Sequence, residues 1–162
     1  MLRHLTTMTF SFRSSKMTSR CTKYTSLEPI SGVRGYIVNI HDTLDFDIDL
    51  DLPPTIVSKY KSVISGTYTY TENDEVKEGK TLRCRLRDII TINRKTKKQI
   101  AAMQTVIRFT DRLEGWVICQ LNDIDIYSRL LVDIADHETG VMLDSVLLDR
   151  YPLNFSRYID YQ

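Results

Sequence analysis

Residues 43–52 read TLDFDIDLDL, in which apolar residues alternate with aspartates without a break. A period of two fits a β-strand and no helix. Successive side chains point to opposite faces, so Leu44, Phe46, Ile48 and Leu50 share one face and Asp45, Asp47, Asp49 and Asp51 the other. Pro53-Pro54 ends the run, because proline cannot donate to a ladder. The stretch therefore demands a sheet with one face on a core and one face in water. Four carboxylates in a row suggest a metal site. Alternate residues of a strand, however, stand roughly 6.6 Å apart, whereas calcium oxygens sit about 2.3–2.6 Å from the ion and converge from several segments. A wet, charge-paired face is the simpler reading. A docking surface for a basic partner is the other use such a face allows.

The flanking sequence supplies the rest of a sheet. GYIVNI (35–40) reads as a strand, and His41-Asp42 as a kink before the aspartate run. Residues 55–66 read as one helical excursion ending at Gly66, TYTYT (67–71) as a strand and NDEVKEGK (73–80) as a polar turn. TLRCRLRDII (81–90) reads as a strand with Leu82, Cys84 and Leu86 on one face and Arg83, Arg85 and Arg87 on the other. Those arginines are natural partners for the aspartates, since opposite charges across strands contribute about 0.2–1 kcal/mol per pair.

The period then changes. Thr96-x-x-Gln99 has the form of a capping box. Ile100, Met103, Val106, Ile107 and Phe109 recur at helical spacing up to Leu113, with Gly115 just past the end. WVICQL (116–121) and YSRLLVDIAD (127–136) read as two more strands, and VMLDSVLLDRY (141–151) as a short helix stopped by Pro152. The predicted fold is mainly β with helices (α+β). It is a five-stranded, partly open barrel of the oligonucleotide/oligosaccharide-binding (OB) type, with a helix after its third strand.

Charge divides the chain. Residues 1–32 carry Arg3, Arg13, Lys16, Arg20 and Lys23 against Glu28; the remainder holds 17 basic and 20 acidic residues. The predicted organisation is an extended basic arm over 1–32, a folded domain over 33–155 and an aromatic tail over 156–162. The arm suits contact with phosphates or an acidic partner, and it shares its composition with mitochondrial transit peptides. No uncharged apolar run approaches the roughly 20 residues that span a bilayer. Three widely spaced cysteines, with no CxxC pair and no zinc spacing, suit a reducing intracellular compartment. Cys84, Cys119 and Trp116 read as core. Arg94, Lys95, Lys97 and Lys98 make ITINRKTKK (90–98) the best local candidate for nucleic-acid contact, beside the plainer reading of a solvated helix entrance.

VNIHDT (38–43), RCRLRDIIT (83–91), a helix closing in Leu113-Glu114-Gly115, YSRLLVDI (127–134) and VMLDSVLLDR (141–150) occur in the order of the staphylococcal nuclease (thermonuclease-like) family, and the chain resembles it over about 33–155. The resemblance implies a calcium-dependent phosphodiesterase ancestry. In that family two aspartates and a threonine carbonyl hold calcium, a glutamate handles the attacking water and two arginines clamp the phosphate. It places Asp42 at one calcium aspartate and Thr91 at the threonine, with Arg85 and Arg129 at the clamp. Ile90 then stands where the second calcium aspartate belongs, Ile40 where the first aspartate of the family's Asp-Gly-Asp-Thr belongs, His41 and Ser128 where glycines belong, and Asn93 where the glutamate belongs. A register two residues earlier gives Arg83 and Asp88 instead, and still supplies Thr91 at the glutamate position. The resemblance thus implies a degraded active site. No cofactor is expected, or calcium if activity survives. Together with the basic arm and the aromatic end, it suggests a structural or interaction component of a larger assembly, such as a virus particle, with protein subunits as partners. A divergent nuclease and a non-catalytic single-stranded nucleic-acid binder are the alternatives.

Overall fold

The computed structural model describes residues 30–94 and 96–158. The roles expected of residues 1–29, of Lys95, of the Thr96 side chain and of 159–162 lie outside that range. Strands β1 (Ile30–Ile40), β2 (Asp45–Leu50), β3 (Ile64–Glu72), β4 (Glu75–Leu86), β5 (Ile89–Thr91), β6 (Trp116–Ile124), β7 (Leu130–Ala135) and β8 (Phe155–Arg157) are joined by helices α1 (Pro54–Val57), α2 (Thr96–Arg112) and α3 (Leu143–Arg150). Six strands form one sheet in the order β2-β1-β6-β7-β4-β3, and β2 pairs with β4 as well. The pairings are antiparallel except β4 with β7. β5 and β8 form a separate antiparallel pair. The molecule is a mixed α+β fold, mostly strand. No helix among the described residues is long and apolar enough to cross a membrane.

The aspartate strand sits where its alternation requires. Leu44, Phe46, Ile48 and Leu50 are buried, Phe46 and Ile48 completely. Burying side chains of this size contributes roughly 1.5–3 kcal/mol each. Cys84 and Cys119 are also fully buried, and burial drives both thiols up, away from the thiolate. Gly35 is required at the crossing of β1 over β2: a Cβ there would stand 2.9 Å from Ile48 and 3.3 Å from the Cys119 sulfur. α2 covers the core with Ala102, Val106 and Phe109, and Leu113 just past its end joins them. Its buried face is rotated from the expected one, since Ile100 and Ile107 are exposed. Gly115 ends it in a left-handed conformation, as the helix-stop pattern anticipates.

Several boundaries differ from the sequence reading. β1 begins at Ile30, inside the segment read as an arm, and Ile30 pairs with Leu121. The expected helix over 55–66 is one turn of α1 followed by a 3-10 segment, Ser58–Val63, and strand resumes at Ile64. The polar stretch 73–80 is not a turn. Only Asn73 and Asp74 turn, both with positive φ, and β4 already runs from Glu75. Apart from buried Gly79, residues 75–80 are exposed or half-buried and mostly charged, so no apolar alternation marks them. The strand expected over 127–136 starts at Leu130, which leaves Arg129 in a loop. Ser156 and Arg157, assigned to the tail, belong to β8.

Candidate functional site

The β1–β2 turn is closed on itself. The His41 and Asp42 N–H groups both donate to the Asp45 carbonyl, and the Asp45 N–H donates to the Asp42 carbonyl. Asp42 Oδ1 accepts the Thr43 N–H at 2.7 Å and the Gln99 side-chain amide at 3.3 Å. That amide also reaches the Thr43 hydroxyl at 3.3 Å. Gln99, expected to cap its own helix, instead ties the first turn of α2 to this loop.

Arg129 lies at the same end of the sheet. Its loop is set by Asp125, whose Oδ1 accepts the N–H groups of Tyr127 and Arg129. Ser128 takes φ +57, a left-handed conformation that favours glycine. The Arg129 guanidinium is held from two sides. Nε donates to Asp125 at 2.8 Å and Nη1 to Asp45 at 3.0 Å. It also sits 5.2 Å from the Tyr127 ring centre. Arg85 stands opposite Asp45 across β2–β4 and level with Leu131 across β4–β7, and its Nη2 donates to the Ile89 carbonyl at 3.3 Å.

The arginine face is thus engaged, though less simply than a ladder of pairs. Arg83 approaches Asp47 at 3.9 Å, and Arg87 binds Asp133 at 2.9 Å with Asp88 at 3.5 Å. Burial raises the Asp133 carboxyl above the usual range despite Arg87. Asp88, the alternative calcium aspartate, is bound to this arginine in a left-handed turn. Asp47 departs from the wet-face expectation: it is 7% exposed. Burial works to raise its pKa. Hydrogen bonds from His41 at 2.5 Å and Ser65 at 2.9 Å outweigh that and hold it below the usual carboxylate range.

The residues do not make a calcium site of the family's kind. Calcium takes 6–8 oxygens. Asp42 is one carboxylate, already bonded on Oδ1; Ile40 packs on the core, and Ile90 is apolar. Thr91 lies in β5 opposite Phe155, and no hydrogen bond joins it to Asp42. Among the described residues no three His, Cys, Asp or Glu side chains converge to hold an ion. The Asn93 carbonyl accepts the Asn154 side-chain amide at 2.9 Å. Arg94, Lys97 and Lys98 are exposed at the entrance to α2. Gln99 and Asp125 escaped the sequence reading. An aspartate four residues before an arginine in a turn was a legible signal for the second; nothing local pointed Gln99 at Asp42.

Trp116, read as core, is only partly buried. The Arg34 guanidinium lies 4.0 Å above its ring and Tyr36 lies 5.1 Å away. No known family, curated protein or solved structure matches the chain at a significant level.

Proposed function

We propose that the chain is a staphylococcal-nuclease-like protein of OB type that no longer cleaves phosphodiesters and serves as a binding component of a larger assembly, such as a virus particle. Support for the barrel is that β1, β2, β4, β7 and β6 each pair with two others of the five, with α2 between the third and fourth in sequence. Support for the family is the left-handed Ser128 before Arg129 and the Leu113-Glu114-Gly115 helix stop. The observation that carries the loss of catalysis is the guanidinium of Arg129, bonded to Asp45 and Asp125 where a phosphate clamp needs it open to a ligand. A substrate phosphate would have to displace two carboxylates that are already hydrogen-bonded. Asn93 in place of a carboxylate removes general-base assistance, typically worth roughly 10²–10⁴-fold.

The test is incubation of the pure protein with single-stranded DNA and RNA at millimolar calcium. No cleavage above background is expected. Cleavage abolished by both Asp42→Ala and Arg129→Ala would establish the divergent nuclease instead. The exposed Arg94, Lys97 and Lys98 favour single-stranded nucleic acid as a second candidate partner. Salt-sensitive binding in the same mixtures, weakened by charge reversal of these three, would identify it.

A further inference from the structure

We infer that the groove beneath the β3–β4 hairpin is the seat of the chain's own basic N-terminal segment, residues 1–29. The groove has a volume of about 580 Å³ and lies between the end of β2, the α1 turn and the hairpin. Its apolar lining is Leu50, Leu52, Val57, Ile64 and Leu82, together with Trp116. Its rim carries Asp49, Asp51, Glu72 and Glu78 against Lys61 and Lys80. The hairpin wall is fixed in place. The Tyr68 hydroxyl donates to Asp49 at 2.6 Å, crossing β4 at Gly79, where a Cβ would meet the Tyr68 ring at 2.5 Å. Lys77 holds Glu72 at 2.5 Å. A built apolar slot with a net negative rim fits an extended segment that carries both apolar and cationic residues. It repels a polyphosphate backbone.

Residues 1–29 have that chemistry. They carry Arg3, Arg13, Lys16, Arg20 and Lys23 against Glu28, with Leu2, Leu5, Phe10 and Phe12 for the slot. The described chain begins beside the groove. β1 opens at Ile30, and four residues further on the Arg34 carbonyl accepts the N–H of Asp51, a rim residue, at 2.8 Å. The Arg34 guanidinium already stacks on Trp116 at 4.0 Å, so this wall takes a cation from the same stretch of chain. An extended segment of this length spans up to roughly 95 Å, which reaches the groove of its own molecule or that of a neighbour. The inference does not depend on whether the Arg129 site is catalytic.

Carbodiimide cross-linking of the full chain, which joins lysine amines directly to carboxylates, tests it. The expected product at low ionic strength links Lys16 or Lys23 to Asp51 or Glu78, both of which are exposed carboxylates. Arg13→Glu with Arg20→Glu leaves both lysines in place and should lower the yield at least tenfold. The same pair should shift the fluorescence of Trp116, the chain's one tryptophan, to the red. A dimer-sized product means exchange between molecules and supports assembly. A monomer-sized product upholds the groove's occupant and removes this route to assembly. Links scattered over carboxylates outside the groove, such as Asp111 and Glu138, or a yield unchanged by the arginine reversals, overturn the inference.

Discussion

Asp45 faces Arg85 across the β2–β4 ladder, yet its carboxylate is bonded to Arg129, 84 residues away in sequence. The pair joins the β1–β2 end of the sheet to the β6–β7 loop, and Asp125 completes it. All three side chains are mostly buried. Removing the cation would leave the Asp45 and Asp125 carboxylates without the charge that bridges them. Arg129→Ala should therefore destabilise the protein by about 2–3 kcal/mol, measured by chemical denaturation. Unchanged stability would mean that the guanidinium is not held in solution, and the phosphate-clamp reading would regain its ground.

Phe46 and Asp47 are adjacent and point to opposite faces, and both are buried. Phe46→Ala should cost about 3–5 kcal/mol, since the ring is fully enclosed. A wet-face aspartate would cost less than about 1 kcal/mol on removal. Asp47, however, accepts hydrogen bonds from His41, Ser65 and Asn39. Asp47→Ala should thus cost about 1–3 kcal/mol. Thermal melts of the two variants, compared with Asp51→Ala on the exposed end of the same run, separate the cases.

The contrast within this one strand shows what a sequence carries. The period-two pattern fixes which face is apolar, because it is a local consequence of backbone geometry. Whether the opposite face meets water is not local: Asp47 is buried by Ser65, 18 residues on, and by the His41 ring folding back. The mainly-β architecture and Gly115 at the helix stop were legible for the same local reasons. The hairpin was not, since residues 75–80 are mostly charged and carry no apolar alternation. Neither was the Gln99–Asp42 contact, 57 residues apart, nor the partial exposure of Trp116, which depends on how Arg34 and the hairpin frame it.

The hairpin turn offers a stabilising change. Asn73 and Asp74 form a two-residue turn with φ of 51° and 62°, which is the type I′ geometry. Left-handed backbone is costly for a residue with a Cβ, and glycine is the preferred second residue of this turn. Asp74→Gly should raise stability by up to about 1 kcal/mol, and Asp74→Val should lower it. The order of the three melting temperatures checks the turn. A stable valine variant would place the turn elsewhere in 73–80, as the polar composition alone suggested.

Asp136 supplies a pH-dependent stability with a defined window. The residue is fully buried, which by itself raises its pKa. Arg112 at 2.5 Å and the N–H groups of Glu138 and Thr139 more than offset this, and the pKa is lowered to about 2. The folded protein therefore takes up this proton less readily than the unfolded chain, whose aspartate titrates near 3.8. The stabilisation is fully present above the unfolded value and is lost as pH falls from about 4 toward 2. Its size follows from the shift, about 2 kcal/mol. Asp136→Asn keeps the shape and removes the titration. Denaturation curves at pH 6 and at pH 2.5 should show the wild type more stable than Asp136→Asn at the higher pH, with the gap narrowing at the lower. A gap that stayed constant across that interval would show that Asp136 contributes through its turn hydrogen bonds alone and not through its charge.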